Sequence, residues 1–109
     1  MISNIPHSIF GIQAALCQAM GHEIRQEIVH LLRDGPIRVT DIASKLSYPQ
    51  TTISRHLAPL RNAGIVLTRR DGTDVLYSIA NPKMLEVCDL MREVLLEQFG
   101  ERSKIMGTR

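Results

Sequence analysis

SRHLAPLRNAGIVLTRRDGTDVLYSI, from Ser54 to Ile79, is the stretch whose reading settles the fold. Its first half has helical spacing: Ile53 just upstream, Leu57 and Leu60 follow one another at intervals of four and three, so they share one face and turn it toward a core. Ala63-Gly64 ends that helix, glycine being the residue that most readily takes the left-handed conformation beyond a helix end. Ile65 to Arg70 then reads as a strand, Asp71-Gly72 as a hairpin turn and Asp74 to Ala80 as the returning strand, because Asp-Gly between β-prone runs is a favoured two-residue connection. The expectation is a helix leading directly into a two-stranded wing.

Upstream, Ser47-Tyr48-Pro49-Gln50 reads as a capping box in which Ser47 and Gln50 satisfy free backbone groups and Pro49 suits the first turn. The helix it opens runs to Asn62, and Pro59 within it removes a hydrogen bond to the Arg55 carbonyl and predicts a kink. Before it, Thr40 caps a two-turn helix with Ile42, Ala43 and Leu46 inward, preceded by a brief extended piece, Ile37 to Val39. Asp34-Gly35-Pro36 closes a helix from about His22 to Arg33, whose inner face is Ile24, Ile28, Leu31 and Leu32. Ile9, Ile12, Leu16, Ala19 and Met20 mark a first helix, broken at Gly21.

Downstream, Asn81-Pro82 starts a last helix with an apolar stripe of Met84, Val87, Cys88, Met91, Val94, Leu95 and Phe99, and the polar tail from Gly100 to Arg109 is expected to fray. The order is α-α-α-α-β-β-α, a mainly α chain with a β-hairpin wing. Residues 1–109 read as a single winged helix-turn-helix domain, with terminal helices at about 8–20 and 82–99.

Length and composition agree with this. The chain has 109 residues, enough for one ordinary domain. It is 44% hydrophobic and 22% charged, the balance of a folded protein. A net charge of +2 permits a polyanionic partner without requiring one. There is no apolar run of roughly eighteen residues, and Met1-Ile2-Ser3-Asn4 lacks the basic region of a signal peptide, so a cytoplasmic protein without a membrane partner is expected. Cys17 and Cys88 match neither a disulfide framework nor a metal knuckle.

A two-turn helix, a three-residue turn and a longer helix followed by a hairpin is an arrangement that presents one helix to a DNA major groove. At roughly 100° per residue from Ile53, the outward sector holds Thr51, Arg55, Ala58 and Asn62, flanked by Thr52, Ser54 and Pro59, with His56 nearer the core edge. The DNA-contacting set is therefore Gln50, Thr51, Thr52, Ser54, Arg55 and His56, with Arg55 the foremost base reader, joined at the wing by Arg69, Arg70 and Thr73. A merely solvated helix and turn would also carry such residues.

The Ser54–Ile79 run resembles the recognition helix and wing of the ArsR/SmtB family of bacterial and archaeal repressors. MGHEIRQEIVHLL (Met20 to Leu32) and VTDIASKL (Val39 to Leu46) resemble its second and third helices, so the similarity spans roughly Ala14 to Ala80. The resemblance implies a homodimer built by the first and last helices, a palindromic double-stranded DNA operator, and derepression when an effector binds. Independently, the last helix's apolar stripe is wider than one small core needs, which suits dimer packing.

The family's sensor positions are mostly empty of ligands here. Its third-helix site needs a cysteine pair before Asp-Leu, where this chain has Val39-Thr40-Asp41-Ile42. Its last-helix zinc site corresponds to Asn81, Lys83, Val94 and Glu97, and one carboxylate does not make a tetrahedral zinc site. The cysteines of its sulfide-responsive members fall at His30 and Leu96. No metal ligand and no cofactor is therefore expected. Cys17 and Cys88 lie in the two helices the family packs together and form a candidate redox-sensor pair, the alternative being two inert buried thiols. His7, His22, His30 and His56 are scattered through different elements. No nucleophile with a base, glycine-rich phosphate loop or paired carboxylates points to an enzyme. The rival to a DNA regulator is a winged-helix protein-interaction module without specific DNA binding.

Overall fold

The computed structural model describes residues 7–106, with side chains described for residues 7–100. Helix α1 spans His7–Ala19 and α2 spans Glu23–Leu31, which tightens into a single 3-10 turn at Leu32–Asp34. Strand β1 (Ile37–Arg38), α3 (Val39–Leu46), α4 (Gln50–Asn62), β2 (Val66–Asp71), β3 (Asp74–Ile79) and α5 (Lys83–Met106) follow. The core lies where the apolar faces of α2, α3 and α4 meet the base of the hairpin: Ile28, Leu32, Ile42, Ile53, Leu57, Leu60 and Val66 are all buried. This is the winged helix-turn-helix arrangement expected from the apolar periodicity.

Five local expectations are corrected. The wing is three-stranded, in the order β1-β3-β2, because Ile37 and Arg38 pair antiparallel with Tyr77 and Leu76. Thr40 is not the cap of α3; the helix starts at Val39 after an extended Arg38, without a side-chain cap. The capping box at Ser47 does not form. Ser47 terminates α3 in the left-handed conformation (φ 62°, ψ 42°), so it is not the extended residue that an N-cap must be. Pro49 takes that place, its carbonyl accepting the N–H groups of Thr52 and Ile53.

At the wing tip Asp71 pairs with Asp74, so the turn is Gly72-Thr73, not Asp71-Gly72. Gly72 has φ +67°, which glycine supplies without strain at the first position of such a turn. Finally, α5 does not fray at Gly100 but runs to Met106, through Glu, Arg, Lys and Met residues that favour helix. Residues 107–109 of the expected tail lie outside the described residues. Pro59 is accommodated within α4, and its own carbonyl accepts the Ala63 N–H.

Candidate nucleic-acid interface

Helix α4 divides by face. Ile53, Leu57 and Leu60 are sealed in the core, while Gln50, Thr51, Ser54, Arg55 and Ala58 are exposed and Thr52 is half-buried. The turn before it is fastened by Tyr48, whose hydroxyl donates to Glu27 Oε2 of α2 at 2.9 Å. The first turn of a helix leaves backbone N–H groups without intrahelical partners. Exposed hydroxyls, an exposed guanidinium and these N–H groups are suited to phosphate and base-edge contacts.

On the wing, Arg69, Arg70 and Thr73 are all exposed. Successive strand residues project to opposite faces, so the two arginines flank the ribbon instead of sharing one side. Among the described residues neither they nor Arg55 is ion-paired, whereas Arg38 at the base of the wing is held by Asp41 at 3.2 Å and Asp74 at 3.1 Å. The uncompensated cations of the region are thus those on α4 and the wing.

Residues 22–68 match the family described as bacterial regulatory protein, arsR family. Transcriptional repressor PagR of Bacillus anthracis is 39% identical over 83 residues, covering 74% of this chain and 82% of PagR. The chain belongs to the ArsR family. Transcriptional activator HlyU of Vibrio cholerae is 32% identical over 79 residues, covering 72% of this chain and 73% of HlyU. The homodimeric winged helix-turn-helix DNA-binding domain of Mb0332 from Mycobacterium bovis superposes with a TM-score of 0.78 at 29% identity, covering 86% of this chain and 87% of that one. The chain is accordingly a transcriptional regulator of the ArsR family and not an enzyme.

Within this ArsR fold, His56 departs from the expected DNA-contacting set. It is 9% exposed. Its Nδ1 accepts a hydrogen bond from Arg25 Nε at 3.1 Å. Arg25 Nη1 in turn donates to the Ala19 carbonyl at 3.3 Å, so the group ties α4 to α2 and the end of α1. The ring lies 4.2 Å from that of His22 between centroids, and His22 Nδ1 accepts the Ile24 N–H to cap α2. Burial above all, then the charges of His22, Arg25 and Arg55, hold the His56 pKa below its ordinary value. Position on a helical wheel hinted at His56's edge location, but nothing local in the sequence pointed to Arg25 or His22.

The sensor elements also take shape. Cys17 is exposed and Cys88 buried, both are free thiols, and both line one cavity of about 290 Å³ between α1 and α5. Burial pushes the Cys88 thiol up, against the opposing pull of Arg92 and Arg33. Beside it, Asp89 is gripped by Arg33 at 2.8 Å and Arg92 at 2.9 Å, which hold its carboxyl at about 2 and tie α5 to the turn after α2. Among the described residues no three or more His, Cys, Asp or Glu side chains gather as a metal site, and no helix is long and apolar enough to cross a membrane.

Proposed function

We propose that this ArsR-family chain is a homodimeric, sequence-specific DNA-binding repressor, working in the cytoplasm and released from a palindromic operator by an effector. One observation carries the reading: α4 presents Thr51, Ser54 and Arg55 outward from a fully buried Ile53-Leu57-Leu60 face, directly before a wing with unpaired Arg69 and Arg70. In this reading Gln50, Thr51, Thr52, Ser54 and Arg55 enter the major groove, and Arg69, Arg70 and Thr73 meet the backbone or minor groove. The terminal helices α1 and α5 form the dimer interface, as their exposed Ile9, Phe10, Ile12, Leu90 and Val94 suggest. A twofold dimer requires a pseudo-palindromic site. The resemblance to PagR favours repression, although HlyU is named an activator.

The effector acts at the Cys17/Cys88 cavity. In the simplest form of this switch, hydrogen peroxide accepts two electrons from the two thiols: one S–S bond forms, the O–O bond breaks, and the two thiol protons leave on its oxygens as two molecules of water. The test is binding of the purified protein to its own upstream DNA across a salt series, with reduced protein, peroxide-treated protein and a Cys17→Ser/Cys88→Ser variant. Specific binding that falls steeply with salt, by counterion release, supports the regulator. Loss on peroxide treatment in the wild type alone supports the switch. Absence of specific binding in every state would favour the protein-interaction module.

A further inference from the structure

Helix α5 leaves the core soon after it begins. Met84 and Leu85 are half-buried and Cys88 is buried, but every residue from Leu90 to Gly100 is exposed. Asp89 stands at that boundary. Its carboxylate takes both terminal nitrogens of Arg33, Nη2 on Oδ1 at 2.8 Å and Nη1 on Oδ2 at 3.3 Å. Arg33 lies in the 3-10 turn that closes α2 and is itself held there: its Nε donates to the His30 carbonyl at 3.3 Å, and its Nη2 is 3.1 Å from His30 Nδ1. Arg92, one turn along α5, donates to the same Oδ1 at 2.9 Å. Ion pairs as exposed as these add little to stability. A two-pronged guanidinium–carboxylate contact nevertheless fixes direction as well as distance. The hydrogen bonds from Arg33 and Arg92 hold the carboxyl at about 2, so it stays ionised throughout the neutral range.

We propose that Arg33 and Asp89 are positioning residues for operator choice: by fixing the angle at which α5 leaves the core, they set the separation of the two recognition helices in the dimer, and with it the half-site spacing the protein accepts. The inference rests on the regulator reading above, with α1 and α5 as the dimer interface. Helix α2 joins the two ends of the device. Its Glu27 takes the Tyr48 hydroxyl at the turn before α4 and its Arg25 bonds His56 within α4, while Arg33 in the turn at its end holds α5. Half-sites stand one helical turn of DNA apart or a multiple of it, so spacing is a geometric demand on the dimer. From Asp89 to Gly100 α5 advances about 16 Å, so a tilt of about 10° moves its far end by about 3 Å, close to the rise of one base pair. In a twofold dimer both protomers contribute that tilt. A contact of small energy therefore has a large geometric consequence.

The test is binding of the purified protein to its upstream operator, to versions with one base pair added or removed between the half-sites, and to a duplex carrying a single half-site. Wild type should lose about tenfold in affinity on either respaced operator, the scale of a one-base-pair error. Asp89→Ala and Arg33→Gln, sedimenting as dimers, should bring that loss below about threefold, less than one such error costs. Both should bind the half-site duplex as wild type does. The double variant should behave like either single one, since one shared contact is removed. Arg92→Gln, which takes away only the partner on α5 itself, should keep the wild-type spacing ratio. Variant dimers that keep that ratio, variants that sediment as monomers, or an equal loss on the half-site duplex would each overturn the proposal. A wild type that binds its operator specifically but at all three spacings alike overturns it and leaves the regulator reading standing. A wild type without specific binding removes both.

Discussion

His56 joins three elements through one ring nitrogen, and the bond from Arg25 Nε exists only while that nitrogen keeps its lone pair. Its pKa is lower folded than unfolded, from burial and the neighbouring cations, so the unfolded chain binds more protons in the interval between the two values. Stability is therefore complete above about pH 6.5 and declines as pH falls through that interval. Urea midpoints should drop below about pH 6.5 in wild type, and His56→Gln should flatten that part of the profile. Arg55, the preceding residue of the same helix, is exposed and, among the described residues, in no ion pair. Arg55→Ala should cost about 1–3 kcal/mol of operator binding and relax choice at one base pair, while Arg70→Ala should weaken all sequences alike and reduce the salt slope by about one. Binding isotherms on operator variants separate the two. Periodicity told which α4 residues face inward, but it left His56 on the border, because its partners Arg25 and His22 arrive from more than thirty positions away.

The turn between α3 and α4 depends on a non-glycine residue held at φ 62°. The left-handed region costs an ordinary L-residue roughly 1–2 kcal/mol, and glycine's greater freedom when unfolded returns about half of the gain from relieving it. Ser47→Gly should accordingly raise stability by about 0.5–1 kcal/mol, read as a higher urea midpoint at unchanged slope, and Ser47→Val should lower it. Long elements were legible because several residues report each one: α4 lies where its apolar face and Ala63-Gly64 put it. What was missed is short. A two-residue β1 shows no alternation, and its pairing with β3 depends on residues about forty positions away. The Ser47 reading failed because a three-residue turn makes one residue stop α3, and that residue then has the wrong backbone for capping α4.

The molecule as a whole is spread beyond its core. Its radius of gyration is 16.7 Å with extents of 53 × 45 × 21 Å, against about 13 Å for a compact domain of this length. The excess follows from α1 and α5, which expose Ile9, Phe10, Ile12, Val87, Leu90, Met91 and Val94 to solvent while the α2–α4 core is closed. An apolar surface of this kind on a chain with no core left to build is what the second copy in the proposed homodimer would cover. The width of the α5 stripe signalled this surface in the sequence, but periodicity does not say how two copies cross. Leu90 and Val94, 62% and 48% exposed and one turn apart on α5, lie away from the buried Cys88 face, so Leu90→Glu/Val94→Glu places charge on the proposed interface and spares the core. Sedimentation should then report monomers where wild type sediments as dimers, with unchanged far-ultraviolet circular dichroism. A monomer engages one half-site, so its operator affinity should fall and its logarithmic salt slope should drop to about half, since the slope counts phosphates neutralised. A monomeric variant with the full slope and affinity would mean that one winged domain suffices and that the exposed helices serve something other than operator binding.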